Sequence, residues 1–322
     1  MTALPMAGRT CLVLGAGGFI GQALVDRLVE EGGLVRAYGR PPRLRDADPH
    51  LDWRGYEFSD ESALARAVDG CDYVFHLIGG TLPESANRNP EAEILGSVNR
   101  TIHLLDLCRT AGVRKLVFAS SGGTVYGIPK HVPIRETMET FPISAYGIAK
   151  LTIEKFLYLY EYLHGLNSVA LRIANPFGPY QDPGKKQGII AAAIASIFAD
   201  RPVEIWGDGT VVRDFIYIDD VISAFIAAAV YDGPERIFNI GSGIGRSIND
   251  VVASVGRAMG VEAPRRIYRQ GRASDVPVNV LDIALARREL AWAPTADWAG
   301  SLRVTAERLK ALQAPQPSIR PI

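Results

Sequence analysis

Tyr146 and Lys150 lie four residues apart in Ser144-Ala-Tyr-Gly-Ile-Ala-Lys150, and a phenol one helical turn from an ammonium is acid/base machinery. Tyrosine, with an ordinary pKa of about 10, is a poor base at neutral pH, but a fixed positive charge beside it favours the phenolate. Proton exchange with a substrate hydroxyl is the chemistry such a pair performs. Alone, the spacing also arises by chance on solvated helices. A second motif gives it context. Thr10-Cys-Leu-Val-Leu14 reads as a buried strand, followed by Gly15-Ala-Gly-Gly18-Phe-Ile-Gly21 and an apolar-periodic helix over about 22–31. Glycines let the backbone turn tightly and approach a pyrophosphate, and the free amides at the helix start attract its charge. A purely structural strand-to-helix turn is the plainer alternative. In an opening βαβ unit, with Gly-x-x-Gly-x-x-Gly spacing, dinucleotide binding is the expectation.

The elements that must carry these motifs follow an α/β rhythm. Strand-like runs at Leu34–Tyr38, 73–78, 115–119 and Ser168–Ile173 alternate with helical patterns near 61–68, 91–111 and 144–164. That alternation predicts a doubly wound parallel sheet of the Rossmann kind. After Asn175-Pro-Phe-Gly-Pro the rhythm changes, with a helix near 187–199 and short strands at Val203–Trp206 and 215–218. The expected organisation is a dinucleotide-binding domain over 1–177 and a smaller, mainly substrate-binding domain over 178–314. Segments near 213–240 are candidates to return to the first domain, and 315–322 is a loose, Pro-rich tail.

The chain has 322 residues with 35 basic and 35 acidic side chains, so no net field draws it to nucleic acid or an anionic membrane. No run approaches the ~20 apolar residues of a membrane span, and the N-terminus lacks a signal peptide's apolar region. Cys11, Cys71 and Cys108, two of them in apparent strands, lack metal spacing and fit free thiols in a reducing cytoplasm. The expectation is a cytoplasmic protein acting on small molecules without a metal. Helix 151–163 carries Phe156, Tyr158, Tyr160 and Tyr162 among leucines. That surplus of apolar surface fits either a homodimer contact or a cover for the sheet.

The glycine turn, Tyr146-x-x-x-Lys150 and Ser120-Ser-Gly-Gly-Thr-Val-Tyr-Gly127, in this order, resemble the extended short-chain dehydrogenase/reductase family, and most nearly its nucleotide-sugar epimerases and dehydratases. The likeness runs from Thr10 to about Thr305. Further matches are His76-Leu77, Asn99, Leu171-Arg172-Ile-Ala-Asn175, Trp206-Gly-Asp-Gly209, Arg213-Asp-Phe-Ile-Tyr-Ile-Asp219 and Arg272-x-x-Asp275. The resemblance implies Tyr146 as acid/base and Lys150 as the group that tunes it while holding the nicotinamide ribose. It places Gly15, Gly18, Phe19, Ile20, Gly21, Phe58, Leu77, Asn99 and Pro176 around the cofactor. Asn175, Arg213 and Arg272 would grip the diphosphate of a nucleotide-sugar, with Asp275 on the nucleoside ribose. Arginine forks suit phosphate oxygens, although Arg213 beside Asp214 and Arg272 near Asp275 are also compatible with simple ion pairs. His76 reads as a strand-end residue near the cofactor rather than a catalyst.

Three departures refine the expectation. Many relatives place a Ser or Thr partner of the tyrosine where this chain has Gly122, so the hydroxyl falls to Ser121 or Thr124. The acidic pair that 4,6-dehydratases place at the positions of Gly123 and Thr124 is missing, which disfavours elimination of water. At the end of the second strand, where NAD-preferring relatives carry Asp, this chain has Arg40, with Arg43 and Arg45 following. An arginine there suits a 2′-phosphate, a lean toward NADP, while Glu57 would take the adenine of either dinucleotide. The leading expectation is a UDP-hexose-type 4-epimerase with NAD held permanently. The alternatives are an NADPH-dependent 4-keto nucleotide-sugar reductase and, less favoured because the Tyr146/Lys150 pair is intact, a non-catalytic dinucleotide-binding regulator.

Overall fold

The computed structural model describes residues 4–40, 48–55, 58–79, 83–181, 188–271 and 276–313. Its strands are β1 (Thr10–Leu14), β2 (Leu34–Tyr38), β3 (Leu51–Arg54), β4 (Tyr73–His76), β5 (Lys115–Ser121), β6 (Ser168–Ile173), β7 (Asn175–Phe177), β8 (Val203–Trp206), β9 (Val212–Tyr217), β10 (Ile237–Ile240), β11 (Gly245–Ser247), β12 (Arg266–Arg269) and β13 (Val278–Asn279). A seven-stranded sheet runs in the order β10-β6-β5-β4-β1-β2-β3, every neighbouring pair parallel. Order reverses between β1 and β4. In open α/β sheets ligands bind beyond the carboxyl ends of the strands at such a switch point.

Parallel strands are covered on both faces, so their side chains are apolar on both. In β1, Val13 faces one core layer and Leu12 and Leu14 the other. The first layer is filled from α1 (Phe19–Glu30) by Leu24, Val25 and Leu28. The second is filled by α2 (Glu61–Val68), whose Leu64 packs with residues from further along the chain. After β4 the chain makes α3 (Pro83–Arg88), α4 (Pro90–Glu93), a π-helical turn over Ile94–Asn99 and α5 (Arg100–Thr110). Next come α6 (Ala145–His164), α7 (Ile189–Phe198), α8 (Ile218–Val230), α9 (Ile248–Ala258), α10 (Ala284–Glu289) and α11 (Trp298–Gln313). Leu104 and Leu105 of α5 and Ile153 and Leu157 of α6 complete the second layer, and Phe225 of α8 the first. Helices α7, α9 and α11 enclose a separate small core through Ile190, Ile194, Val251, Val255, Leu302 and Leu309. Above it β9 pairs with β7, β11 and β13, and β8 pairs with β12.

Several boundaries differ from those read in the sequence. Helix α1 starts at Phe19 rather than near 22, because Gly21 belongs to its first turn instead of preceding it. The helix expected over 91–111 is interrupted by the π turn. Ser97 Oγ donates to the Glu93 carbonyl at 2.6 Å and Thr101 Oγ1 to the Ser97 carbonyl at 2.6 Å, and such back-bonding bends helices. Ile218, expected to close a strand, instead starts α8. Of the cysteines only Cys11 is in a strand; Cys71 precedes β4 and Cys108 lies in α5, all three buried free thiols. The tail 315–322 lies outside the described residues.

Candidate functional site

The glycine turn sits at the carboxyl end of β1. Gly15 adopts φ +88°, a left-handed conformation that side chains disfavour. A Cβ at Gly21 would overlap the Gly15 carbonyl oxygen, so α1 can pack this closely on the turn only with glycine there. Gly17, not singled out in the sequence, is equally constrained: a Cβ would overlap the carbonyl oxygen of Arg40, where the turn crosses the end of β2. Gly18 is the N-cap of α1 and offers no side chain, and the first turn of α1 holds no acidic residue. The first amides of α1 are thus open to an anion such as a pyrophosphate. This bare-backbone cradle fits a dinucleotide. Phe19, Ile20 and Leu77 are half-buried, and Phe58 is buried against the His76 ring. Arg40 is exposed at the strand end. Glu57, Arg43 and Arg45 lie outside the described residues.

Tyr146 and Lys150 project from the first turns of α6. Ser144 caps the helix, its hydroxyl accepting from the Gly147 amide at 3.1 Å, and Asn87 accepts from the Ala145 amide at 2.8 Å. Gly147 lets α6 approach the loop that follows β5: a Cβ there would stand 2.9 Å from the Thr124 carbonyl. Lys150 is buried, donates from Nζ to the Ala119 carbonyl at 2.7 Å, and lies 4.5 Å from the Phe118 ring centre and 5.7 Å from that of Tyr146. Burial, opposed by Glu93 and Glu154, pulls the Lys150 ammonium down to about 8. Burial and the Glu93 carboxylate push the Tyr146 phenol up to about 12. This corrects the expectation that the neighbouring ammonium lowers the phenol. Burial is the largest influence on the phenol, which rests protonated.

The face of α4 and the π turn toward this pair carries residues the sequence reading passed over. Glu93 and Ser97 are buried there, whereas Asn99, expected at the cofactor, is exposed. The π turn carries Asn99 outward. Thr101 Oγ1, having donated to Ser97, accepts from His76 Nε2 at 2.8 Å, which fixes the proton of neutral His76 on Nε2. The His76 ring lies between Phe58 and Phe118, with centroids 5.5 Å and 5.3 Å away. Burial and then the Lys150 charge lower His76 to about 3, so it is neutral and a fixed part of the strand end.

At the end of β5, Gly122 is buried against β13: a Cβ would stand 2.6 Å from Leu281 Cδ1 and 3.0 Å from the Arg172 carbonyl. A serine at this position would have to displace the Leu281 side chain. Ser121 is half-buried, and Thr124 Oγ1 is buried with no hydrogen-bond partner among the described residues. An orphaned buried hydroxyl is costly unless a ligand completes it, which favours Thr124 over Ser121 as the hydroxyl of the site.

On the small-lobe side, Asn175 donates from Nδ2 to the Asp214 carbonyl at 2.9 Å, and Pro176 follows it in β7. Arg213 donates to the Val212 carbonyl at 3.0 Å and to the Val276 carbonyl. It does not depend on the adjacent Asp214, which is fully buried and accepts from Ser242, Gly243 and Leu281. Arg272 and Asp275 lie outside the described residues.

A sequence profile of the NAD dependent epimerase/dehydratase family matches residues 11–241. The chain is 33% identical over 308 residues to a UDP-glucose 4-epimerase of Mycolicibacterium smegmatis, spanning 92% of this chain and 97% of that protein. It is 30% identical to a dTDP-4-dehydro-6-deoxyglucose reductase of Escherichia coli, over 88% of this chain and 92% of that one. Among solved structures, a UDP-glucose 4-epimerase of Thermotoga maritima with UDP-glucose superposes with a TM-score of 0.88 at 31% identity, covering 94% of this chain and 99% of that one.

Proposed function

The chain belongs to the NAD dependent epimerase/dehydratase family, and we propose that it is an NAD-dependent nucleotide-sugar 4-epimerase of the UDP-hexose type. The observation that carries this reading is the pairing of the bare-glycine cradle at the β1 switch point with Tyr146 and Lys150 on α6. Gly15, Gly17, Gly18, Gly21, Phe19, Ile20, Phe58, Leu77 and Pro176 hold the cofactor, and the adenine is assigned to Glu57. NAD, when bound, supplies a reversible acceptor for the C4 hydride. Tyr146 must first lose its resting proton; as a phenolate steadied by Lys150 it takes the C4 hydroxyl proton on oxidation and returns it after the keto sugar turns, and Thr124 holds the same oxygen. Asn175 and Arg213, joined by Arg272 and Asp275, hold the nucleotide. On this reading 1–177, with α8 and β10, bind the cofactor, and 178–314 mainly the substrate.

A second reading, the NADPH-dependent 4-keto reductase, is favoured by Arg40, by the reductase relative, and by a resting phenol already protonated for donation. Cytoplasmic residence, supported by three buried free thiols, and a homodimer belong to the same proposal. The dimer is supported by α6, which leaves Tyr158, Leu159, Tyr162 and Leu163 exposed. The test is incubation with UDP-glucose and no added dinucleotide. UDP-galactose should form, and Tyr146→Phe should slow it by roughly 10²–10⁴-fold while dinucleotide stays bound. No interconversion, with NADPH-dependent consumption of a 4-keto sugar nucleotide instead, would establish the reductase.

A further inference from the structure

Glu154 is a buried carboxylate that the reaction described above does not use. It lies one turn after Lys150 on α6, so the two side chains leave the same face of the helix. What it grips is the sheet. Ser120 Oγ donates to Glu154 Oε1 at 2.5 Å, Arg172 Nε donates to the same oxygen at 3.0 Å, and Arg172 Nη2 donates to Oε2 at 2.6 Å. Ser120 and Arg172 are register partners in the pairing of β5 with β6, so one carboxylate of α6 bridges both strands. Lys150 Nζ meanwhile donates to the carbonyl of Ala119, the residue before Ser120. Consecutive residues of β5 are thus tied to α6 by groups one helical turn apart.

The strands so tied are those that carry the site. From Ser120 the chain runs into Ser121, Gly122 and Thr124, and from Arg172 it leaves β6 at Ile173 for Asn175 and Pro176. A Cβ at Gly122 would stand 3.0 Å from the Arg172 carbonyl, so the two strand ends also pack on each other. Arg172 is itself oriented: its guanidinium lies 4.8 Å from the Tyr126 ring centre, and Tyr126 donates its hydroxyl to Asn239 Oδ1 at 2.7 Å. A buried ion pair of this kind is not required for stability, since apolar side chains of similar size in both places are often as good or better. Its bidentate geometry instead fixes where α6 sits on the sheet.

We propose that Glu154 is a positioning residue for the reaction: by holding Ser120 and Arg172 it sets Tyr146 and Lys150 on α6 against Thr124 and Asn175 at the strand ends. The inference rests on the proposed chemistry at Tyr146 and adds to it the part that keeps the reacting groups in register. Steady-state kinetics, in whichever of the two assays above the wild type is active, are compared with melting temperature and bound dinucleotide for two variants. Glu154→Met with Arg172→Met removes both charges and keeps the stems, so it should melt close to wild type. Its kcat should fall roughly 10- to 100-fold, as a small misplacement of reacting groups does, with KM and dinucleotide content within about twofold. Ser120→Ala leaves the ion pair intact and releases only β5; its kcat should fall by a smaller factor, again without a change in KM.

A normal kcat in either variant would overturn the positioning role. So would a loss of kcat in Ser120→Ala that comes with a matching rise in KM, lost dinucleotide and a lower melting temperature, which would make the network structural. If the double variant fails to fold, Ser120→Ala decides alone. Wild type inactive in both assays would bring down the functional reading and this inference with it, whereas the variant outcomes bear on Glu154 only.

Discussion

At position 76 a histidine behaves as a permanently neutral ring, and its surroundings predict how the protein responds to acid. Burial and the Lys150 charge lower its folded pKa to about 3 from an ordinary 6.5. Between these values the unfolded chain binds a proton that the folded one refuses, so this contribution is intact above about pH 6.5 and is lost as pH falls toward 3. The loss amounts to at most about 5 kcal/mol. Urea unfolding at pH 7 and pH 4 should show a smaller pH-dependent drop in His76→Gln than in wild type; equal drops would mean the ring titrates normally. Tyr146 and Lys150 were legible in the sequence because their spacing is local to one helix. Glu93 was not, since its place beside them depends on a helix register that periodicity did not reveal. Nor was the closed space at Gly122, which is set by Leu281, far along the chain.

Among the elements, the β1–α1 turn was read in kind but not in full. The strand, the glycines and the helix were all visible, yet Gly17 became informative only once the end of β2 was seen crossing it. A Cβ at Gly17 meets backbone, which has no rotamer to move aside, whereas Gly70, at φ +67°, has nothing within 4 Å. Gly17→Ala should therefore reduce co-purified dinucleotide severely. Gly70→Ala should cost only about 1–2 kcal/mol of backbone strain and leave the dinucleotide in place. Denatured-protein absorbance and thermal melts would check both, and full cofactor content in Gly17→Ala would show that the turn yields without consequence. The break between α4 and α5 escaped the sequence reading for a related reason. Apolar periodicity registers a helix but not the Ser97 and Thr101 hydroxyls that open its hydrogen bonding. The strand-helix alternation over 10–173 reproduces well because each parallel strand is apolar on both faces, while β10, only Ile237–Ile240, is too short to stand out.

For the whole molecule, the exposed aromatic and leucine face of α6 predicts self-association. Tyr162 is 77% exposed and Tyr158 66%, unusual for rings in the middle of an apolar helix that otherwise packs on a core. Light scattering should give twice the 34.9 kDa of one chain, and Leu159→Glu with Tyr162→Glu should return it to one. An unchanged mass in the double variant would place any interface elsewhere.

A 4-epimerase of the proposed kind runs a closed hydride cycle, in which the dinucleotide is never released between turnovers. The most direct measurement is to denature the freshly purified protein and identify by mass spectrometry what dinucleotide it carries. Near-stoichiometric NAD or NADH is the predicted result, and Arg40 would then be a surface residue of the adenosine end. A protein that emerges empty and binds NADPH far more tightly than NADH would contradict the epimerase and leave the reductase in its place.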